Sequence, residues 1–304
     1  MTQQRIGFVG FGEAAQCFAA HLVSKGAAAP LVFCEGKTNH PPYPEAFRSM
    51  AAAHGVELLD SLHELMARAD VVFSAVVVAT AVPVGQAIAA RVRPGMLVID
   101  INASTPRAKR LVGDAVAARG GSFVDANLMG AVSIYGAAVP LYCSGEGAVR
   151  FAETFAPLGF TIELAGPQAG TAAAVKMLRS VVTKGMEALI VEALTAASLA
   201  GVRNEALRGI CEPMDATRYS KFVDMCVRTD VLHAERRAVE MDGVVEGLRE
   251  IGLRPIMTEA TAARLRTSAG LGLRDDFAAR PAYSADDVLD AYAAKLSALA
   301  DRRL

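Results

Sequence analysis

The stretch that most limits how this chain can fold is its beginning. The apolar run Arg5–Val9 stops at Gly10-Phe11-Gly12-Glu13-Ala14-Ala15, and a helix-like segment follows. A strand that ends in G-x-G-x-x-A and opens a helix has a physical logic. Gly10 permits the tight turn, Gly12 lets backbone approach a pyrophosphate, and small Ala15 lets helix and strand pack closely. The first N–H groups of such a helix have no partners within it and suit phosphate oxygens. The motif alone is weak, because glycines near strand ends are common, and an ordinary β-turn-α unit without ligand is the plainer alternative. Its context sharpens it. Glu35 stands 23 residues after Gly12, at the end of a second apolar run Leu31–Cys34, near the spacing of an acid on an adenosine ribose. A carboxylate there accepts the 2′-OH and repels a 2′-phosphate, favouring NAD over NADP. Lys37, two residues on, pulls the other way.

The strand-helix alternation continues downstream. Ala14–Lys25 reads as a helix stopped by Gly26, and Gly36–Pro44 as a loop whose three prolines exclude regular structure. Ala46–His54 and Ser61–Arg68 read as helices around a short strand at Val56–Leu59. Val71–Val78 and Met96–Ile101 are β-branched runs of the kind that suits parallel strands buried on both faces. Helix-like Val82–Val92 and Pro106–Arg119 follow them, and Ser122–Ala126 reads as a strand. The pattern predicts an α/β fold with a doubly wound parallel sheet. Past about residue 165 the strand pattern ends. Thr171–Ala200 reads as one long helix, with further helices near Glu205–Ile210, Ser220–Cys226, Val231–Ile251, Thr258–Ser268 and Ala285–Arg302. The predicted domains are 1–164, a dinucleotide-binding Rossmann domain, and 165–304, an all-helical substrate and dimerisation domain.

Composition narrows the partner. Net charge is −1 and no run of Lys or Arg stands out, so neither a nucleic-acid groove nor a polybasic membrane patch is expected. A small molecule is. The five cysteines (Cys17, Cys34, Cys143, Cys211, Cys226) lie at least fifteen residues apart, without zinc or redox spacing. They read as small buried hydrophobes in a reducing compartment. The start MTQQRIGFVG leaves no room for a signal peptide, and the most apolar stretch, Val71 to Val82, is too short to span a bilayer. A cytoplasmic protein is expected. The scattered histidines form no cluster with metal-ligand spacing, so no metal is expected.

Five segments occur in one order: GFVGFGEAA, ADVVFSAV, RPGMLVIDINASTP, FVDANLMG and the long helix bearing Lys176. Together they resemble the β-hydroxyacid dehydrogenases, the group of 3-hydroxyisobutyrate and 6-phosphogluconate dehydrogenases. The details GFGEAA, NLMG and KMLRSVVTKG fit a separate branch of that group. The resemblance implies a Rossmann domain before a helical domain, a homodimer or homotetramer, and hydride transfer between NAD or NADP and a small hydroxyl or carbonyl compound. It implies that Gly10, Phe11, Gly12, Glu13, Ala14, Glu35, Val76 and Asn102 border the cofactor. Ser104, Met129, Gly130 and Ser180 would border the substrate, and Lys176 would exchange a proton with the substrate hydroxyl. The chain also departs from the family. Ser180 replaces the usual asparagine four residues past the lysine. Met129-Gly130-Ala131 replaces a serine followed by two glycines, and Asn102-Ala103 replaces a Ser-Thr pair. These departures leave the cofactor turn and the lysine intact and bear on the substrate. They keep two alternatives open, reduction of a C=N bond on the same scaffold and a non-catalytic nucleotide-binding regulator.

Helical phase bears on Lys176 independently. Ser180, Thr183 and Glu187 follow at +4, +7 and +11, a polar stripe on an otherwise apolar helix. Such a stripe suits a helix lining a cleft, whereas a solvent-exposed lysine is the plainer reading. Lysine titrates near about pH 10.4 in isolation. Burial beside a cationic nicotinamide favours its neutral, proton-accepting form. Arg179 and Lys184 read as charge partners or surface residues. A second charged cluster, His233, Arg236, Arg237 and Glu240, is expected to share a face with core-directed Met241, Val244, Leu248 and Ile251. That makes Arg237 or Arg236 a candidate for an anionic substrate group, with a structural ion-pair network as the alternative.

Overall fold

The computed structural model describes residues 4–301. The first half alternates as its hydrophobic periodicity dictates. β1 (Ile6–Val9), α1 (Glu13–Ser24) and β2 (Leu31–Phe33) come first, then α2 (Glu45–Ala53), β3 (Glu57–Leu58) and α3 (Leu62–Arg68). β4 (Val71–Ser74), α4 (Ala81–Ala89), β5 (Leu97–Asp100), α5 (Pro106–Ala117) and β6 (Ser122–Leu128) continue it. Then come α6 (Val132–Tyr135), β7 (Leu141–Ser144), α7 (Ala148–Phe155) and β8 (Ile162–Leu164). The strands form one sheet in the order β3-β2-β1-β4-β5-β6-β7-β8. Neighbours are parallel except β6 and β7, which are antiparallel. The sheet is therefore mostly rather than wholly parallel. Between Leu128 and residue 165, where the sequence predicts no element, lie α6, β7, α7 and β8.

Alternate residues of the central strands feed opposite faces. Phe8, Phe73 and Ile99 join one core with Phe18, Phe151 and Phe155, and Val9, Val72 and Val98 join another with Ile88, Val112 and Val116. Phe8 and Phe73 stack at 4.9 Å between ring centroids. Each fully buried side chain of this size contributes roughly 1.5–3 kcal/mol, so covering both faces is what holds the sheet. β4 stops at Ser74 rather than reaching Val78. The Val76 N–H is taken by the Asn102 side chain, and Val77 and Val78 are exposed.

The remaining elements are α8 (Thr171–Leu199), α9 (Arg203–Asp215), α10 (Tyr219–Glu250), α11 (Ile256–Gly270), α12 (Arg274–Ala278) and α13 (Ala285–Asp301). The chain separates into two compact units, Met1–Val181 and Val182–Leu304. In the second, Val231 of α10 packs with Leu271, Phe277, Val288 and Tyr292, and Glu192 accepts from the Met257 and Thr258 N–H groups at the start of α11, both at 2.8 Å. The two helices expected over Ser220–Cys226 and Val231–Ile251 are one, because Val227-Arg228-Thr229-Asp230 contains no glycine or proline to break it. Of the cysteines, Cys34 and Cys143 are buried and Cys17 partly so. Cys211 and Cys226 are exposed, contrary to their reading as core residues. Among the described residues no helix is long and apolar enough to cross a membrane.

Candidate active site

The turn after β1 is built by close approach. Gly10 has φ +88°, a region that side chains rarely tolerate. Its N–H donates to the Phe33 carbonyl at 2.9 Å. A Cβ here would lie 2.2 Å from the Ala75 carbonyl oxygen, so only glycine lets the chain leaving β1 pass the chain leaving β4. Phe11 is buried edge-on against Phe47 and His54, which anchors the turn. Gly12 precedes α1, and a Cβ there meets nothing within 4 Å. No described side chain caps the first amides of α1. Free N–H groups beside open space at Gly12 are what a pyrophosphate requires, so these residues fit a dinucleotide. Glu13 and Ala14 form the first turn of that helix, exposed and half-buried respectively.

Glu35 is exposed and follows the buried end of β2. The Tyr43 hydroxyl fixes that end, accepting from the Cys34 N–H at 3.1 Å and donating to the Leu59 carbonyl at 2.8 Å. Burial pushes the Tyr43 hydroxyl up to about 12 and the Cys34 thiol up to about 11, the latter against hydrogen bonds from the Gly10 and Phe11 backbone. Both stay protonated near neutral pH and serve the framework.

Asn102 joins the loops after β4 and β5. It is 3% exposed. Its Oδ1 accepts from the Val76 N–H at 2.6 Å, its Nδ2 donates to Ser74 Oγ at 2.9 Å, and its own N–H donates to Asp100 Oδ1 at 2.8 Å. Ser104 lies half-buried two residues on, and Thr105 caps α5 by accepting the Ala108 N–H.

The long helix starts without a capping side chain of its own, since Gly170 precedes it. Gly170 has φ +91°, and a Cβ there would lie 2.6 Å from the Pro106 carbonyl oxygen. Its cap comes from the sheet: Asp125 Oδ2 accepts the Gly170 and Ala173 N–H groups, both at 3.0 Å, and Ser144 Oγ accepts that of Ala172 at 3.0 Å. Lys176 follows within one turn and is half-buried. The Ser180 hydroxyl donates to the Lys176 carbonyl at 2.9 Å, while Thr183 and Glu187 are exposed. Arg179, expected as a charge partner or surface residue, is exposed and donates to the Met129 carbonyl of the other candidate substrate segment at 3.0 Å. Gly130 leaves room for the Tyr135 ring, 2.8 Å from where a Cβ would stand.

The cluster near Arg237 lies differently from its sequence reading. The buried face of α10 is Val231, Ala234, Ala238 and Val245, whereas His233, Arg236, Glu240 and Val244 are exposed. Arg236 and Glu240 form an ion pair one turn apart. Arg237 is half-buried and donates to Thr229 Oγ1 at 3.0 Å. A cavity of about 540 Å³ lined by Arg5, Asp70, Arg93 and Arg150 lies at the amino ends of β1, β4 and β5, the edge opposite the Gly10 turn.

A family model described as the NAD binding domain of 6-phosphogluconate dehydrogenase matches residues 5–149, and one described as a domain of unknown function (DUF1932) matches residues 197–268. A conserved hypothetical protein from Sinorhizobium meliloti 1021 is 32% identical, with 97% of each chain covered and a TM-score of 0.62. The conserved protein MTH1747, described as structurally similar to 3-hydroxyacid dehydrogenases, is 30% identical over 89% of this chain and 98% of its own, with a TM-score of 0.60. The chain belongs to the β-hydroxyacid dehydrogenase family, in its 6-phosphogluconate dehydrogenase-like group. The fold of this family member is also shared by an imine reductase from Bacillus cereus, 16% identical over 88% of this chain and 94% of that one, with a TM-score of 0.73.

Two fully buried charged residues of this family member were not singled out from the sequence, Lys109 and Asp125. The signal was present for both. Lys109 lies in phase with Val112 and Val116 on the apolar face of α5, and Asp125 interrupts an apolar strand. A charge on a core-directed face needs a buried partner.

Proposed function

We propose that the protein is a nicotinamide-dependent oxidoreductase that moves hydride between its cofactor and a small hydroxyl or carbonyl compound of the β-hydroxyacid kind. In this reading residues 1–164 hold the cofactor and residues 165–304 form the substrate and dimerisation domain. The observation that carries it is where α8 begins. Register aligns Val9, Ser74, Asp100 and Asp125 in one row at the carboxyl ends of β1, β4 and β5. Asp125 of that row holds the first turn of the helix with Lys176. Dinucleotides bind outside the carboxyl ends of such strands, so the lysine and the phosphate-binding turn belong to one edge.

When bound, the nicotinamide supplies or accepts hydride at the substrate carbon. The Lys176 amine takes the hydroxyl proton as the alcohol is oxidised and returns it in reduction. Val76 and Asn102 border the cofactor from the β4 and β5 loops. Ser104, Met129, Gly130, Arg179 and Ser180 surround the substrate, with Arg237 as an expected contact for an anionic group. Leu189, Ile190 and Val191 of α8 and Leu207 and Ile210 of α9 are exposed. We take a second copy of the chain, in a homodimer or homotetramer, as their cover. Light scattering near two or four times 31.8 kDa supports that, and a monomer rejects it.

C=N reduction is the second reading. It is favoured by Met129-Gly130-Ala131, which carries no side-chain hydroxyl to hold a carboxylate. One panel separates the readings: short 3-hydroxyacids with NAD⁺ and NADP⁺, and 1-pyrroline with NADH and NADPH. Turnover of the hydroxyacids supports the first, and turnover of the imine alone selects the second. Cofactor binding without turnover of either would select the nucleotide-binding regulator. In the same assay Glu35→Ala is expected to weaken NAD⁺ far more than NADP⁺. Equal weakening, or tighter NADP⁺ in the wild type, rejects the assignment of Glu35 to the ribose 2′-OH.

A further inference from the structure

The row that ends β4 and β5 and crosses β6 and β7 is polar and closed to water. Ser74, Asp100, Asp125 and Ser144 align across β4, β5, β6 and β7, with exposures of 1%, 2%, 0% and 0%. Lys109, itself fully buried, enters from α5. Its ammonium donates to the Asp100 carbonyl at 2.7 Å and lies 3.1 Å from Asp100 Oδ1 and 3.3 Å from Asp125 Oδ1. One hydrogen bond and two ion pairs hold the ammonium.

Each carboxylate then reaches outward. Asp100 accepts the Asn102 N–H, and Asn102 holds Val76 in the loop after β4. Asp125 accepts Gly170, Ala173 and the Ser144 hydroxyl on Oδ2 and the Asn127 amide on Oδ1. A continuous chain of hydrogen bonds, closed at Lys109 by its ion pairs, thus runs from the dinucleotide-side loop to the first turn of α8.

Stability alone does not account for it, because packed hydrophobes in place of a buried ionic cluster are often as stable or more so. What ions add is geometry. Two carboxylates in register repel without the cation between them. With it, the Asp125 charge faces the positive end of the α8 dipole.

We propose that Lys109 is a positioning residue: through Asp100 and Asp125 it sets the first turn of α8, and hence the Lys176 amine, against the Val76–Asn102 loops. Its effect on turnover rests on the proposed role of Lys176; the coupling itself does not.

Hydrogen–deuterium exchange of residues 170–176, with and without NADH, tests the coupling in the whole protein. In the wild type NADH should slow exchange several-fold. In Lys109→Met the segment should exchange faster and lose most of its response to NADH, although NADH still binds. A merely structural lysine would loosen the segment equally in both conditions. Asp100→Asn, a milder cut that removes one charge from the cluster but keeps the shape of the side chain, should weaken the NADH response in part. It carries the test if Lys109→Met does not fold. A wild type that ignores NADH, or an unaltered NADH response in the variant that folds, overturns the proposal. Should Lys176→Met retain turnover while the exchange response behaves as expected, the proton-transfer reading fails and the link from Lys109 to catalysis falls with it.

Discussion

Lys176→Met is expected to lower turnover by about 10² to 10⁴, the usual contribution of a positioned general acid/base. That corresponds to roughly 2.7–5.4 kcal/mol of barrier. Methionine keeps the length and apolar stem, so the half-buried site loses an amine without gaining a cavity. Thermal unfolding and NADH affinity should therefore stay near wild type, because the phosphate-binding amides belong to α1 and the cap of α8 belongs to Asp125 and Ser144. Lys184→Met is the control. It removes one charge from the same helix at an exposed residue outside the 176–180–187 stripe, and turnover should persist. The result that ends the assignment is Lys176→Met retaining more than about a tenth of wild-type turnover with chemistry rate-limiting, below what a general base contributes.

Gly10→Ala and Gly12→Ala should separate stability from cofactor binding. At Gly10 the added methyl would stand 2.2 Å from the Ala75 carbonyl oxygen and 2.9 Å from a Val76 methyl, on a backbone at φ +88°. Backbone cannot yield as a side-chain tip does, so the turn must open and break the Gly10 to Phe33 hydrogen bond. A cost of about 1–3 kcal/mol from strain alone is expected, together with loss of measurable NADH binding. At Gly12 the methyl meets no protein atom within 4 Å. Unfolding should be unchanged there, while the methyl occupies the space through which backbone meets pyrophosphate. NADH affinity should then fall by about tenfold or more, or roughly 1.4 kcal/mol. Paired measurements of melting temperature and NADH fluorescence titration check both. A stable Gly10→Ala that binds normally, or a Gly12→Ala with wild-type affinity, would remove the turn from the site.

Local chemistry settled the first half of this chain. An apolar run, two glycines at fixed spacing and a following helix make one βα unit, and its repetition makes a parallel sheet, because both periodicities are local. Sequence also reached the family, through motifs that keep their order along the chain. Composition said nothing of β7, whose short run Leu141–Ser144 takes its antiparallel direction from pairing with β6. The continuity of α10 across residues 227–230 was equally out of reach, since absence of a breaker is a weaker signal than presence of one.

What only tertiary structure decided is who serves the helix that carries Lys176. Gly170 offers it no side chain, and its cap arrives from 45 residues away, where Asp125 lies in register with Asp100 and both close on Lys109. Arg179 stays an exposed cation, and only the fold brings the Met129 carbonyl within 3.0 Å of it. The stripe around Arg237 failed for the complementary reason. Phase along a helix names the faces, but the packing partner chooses which one is buried, and on α10 that is the face of Ala234 and Ala238. Sequence therefore fixed which groups this protein owns near its cofactor turn. Pairing of strands far apart in the chain fixed which of those groups meet, because a buried charge is held only by partners that the fold brings to it.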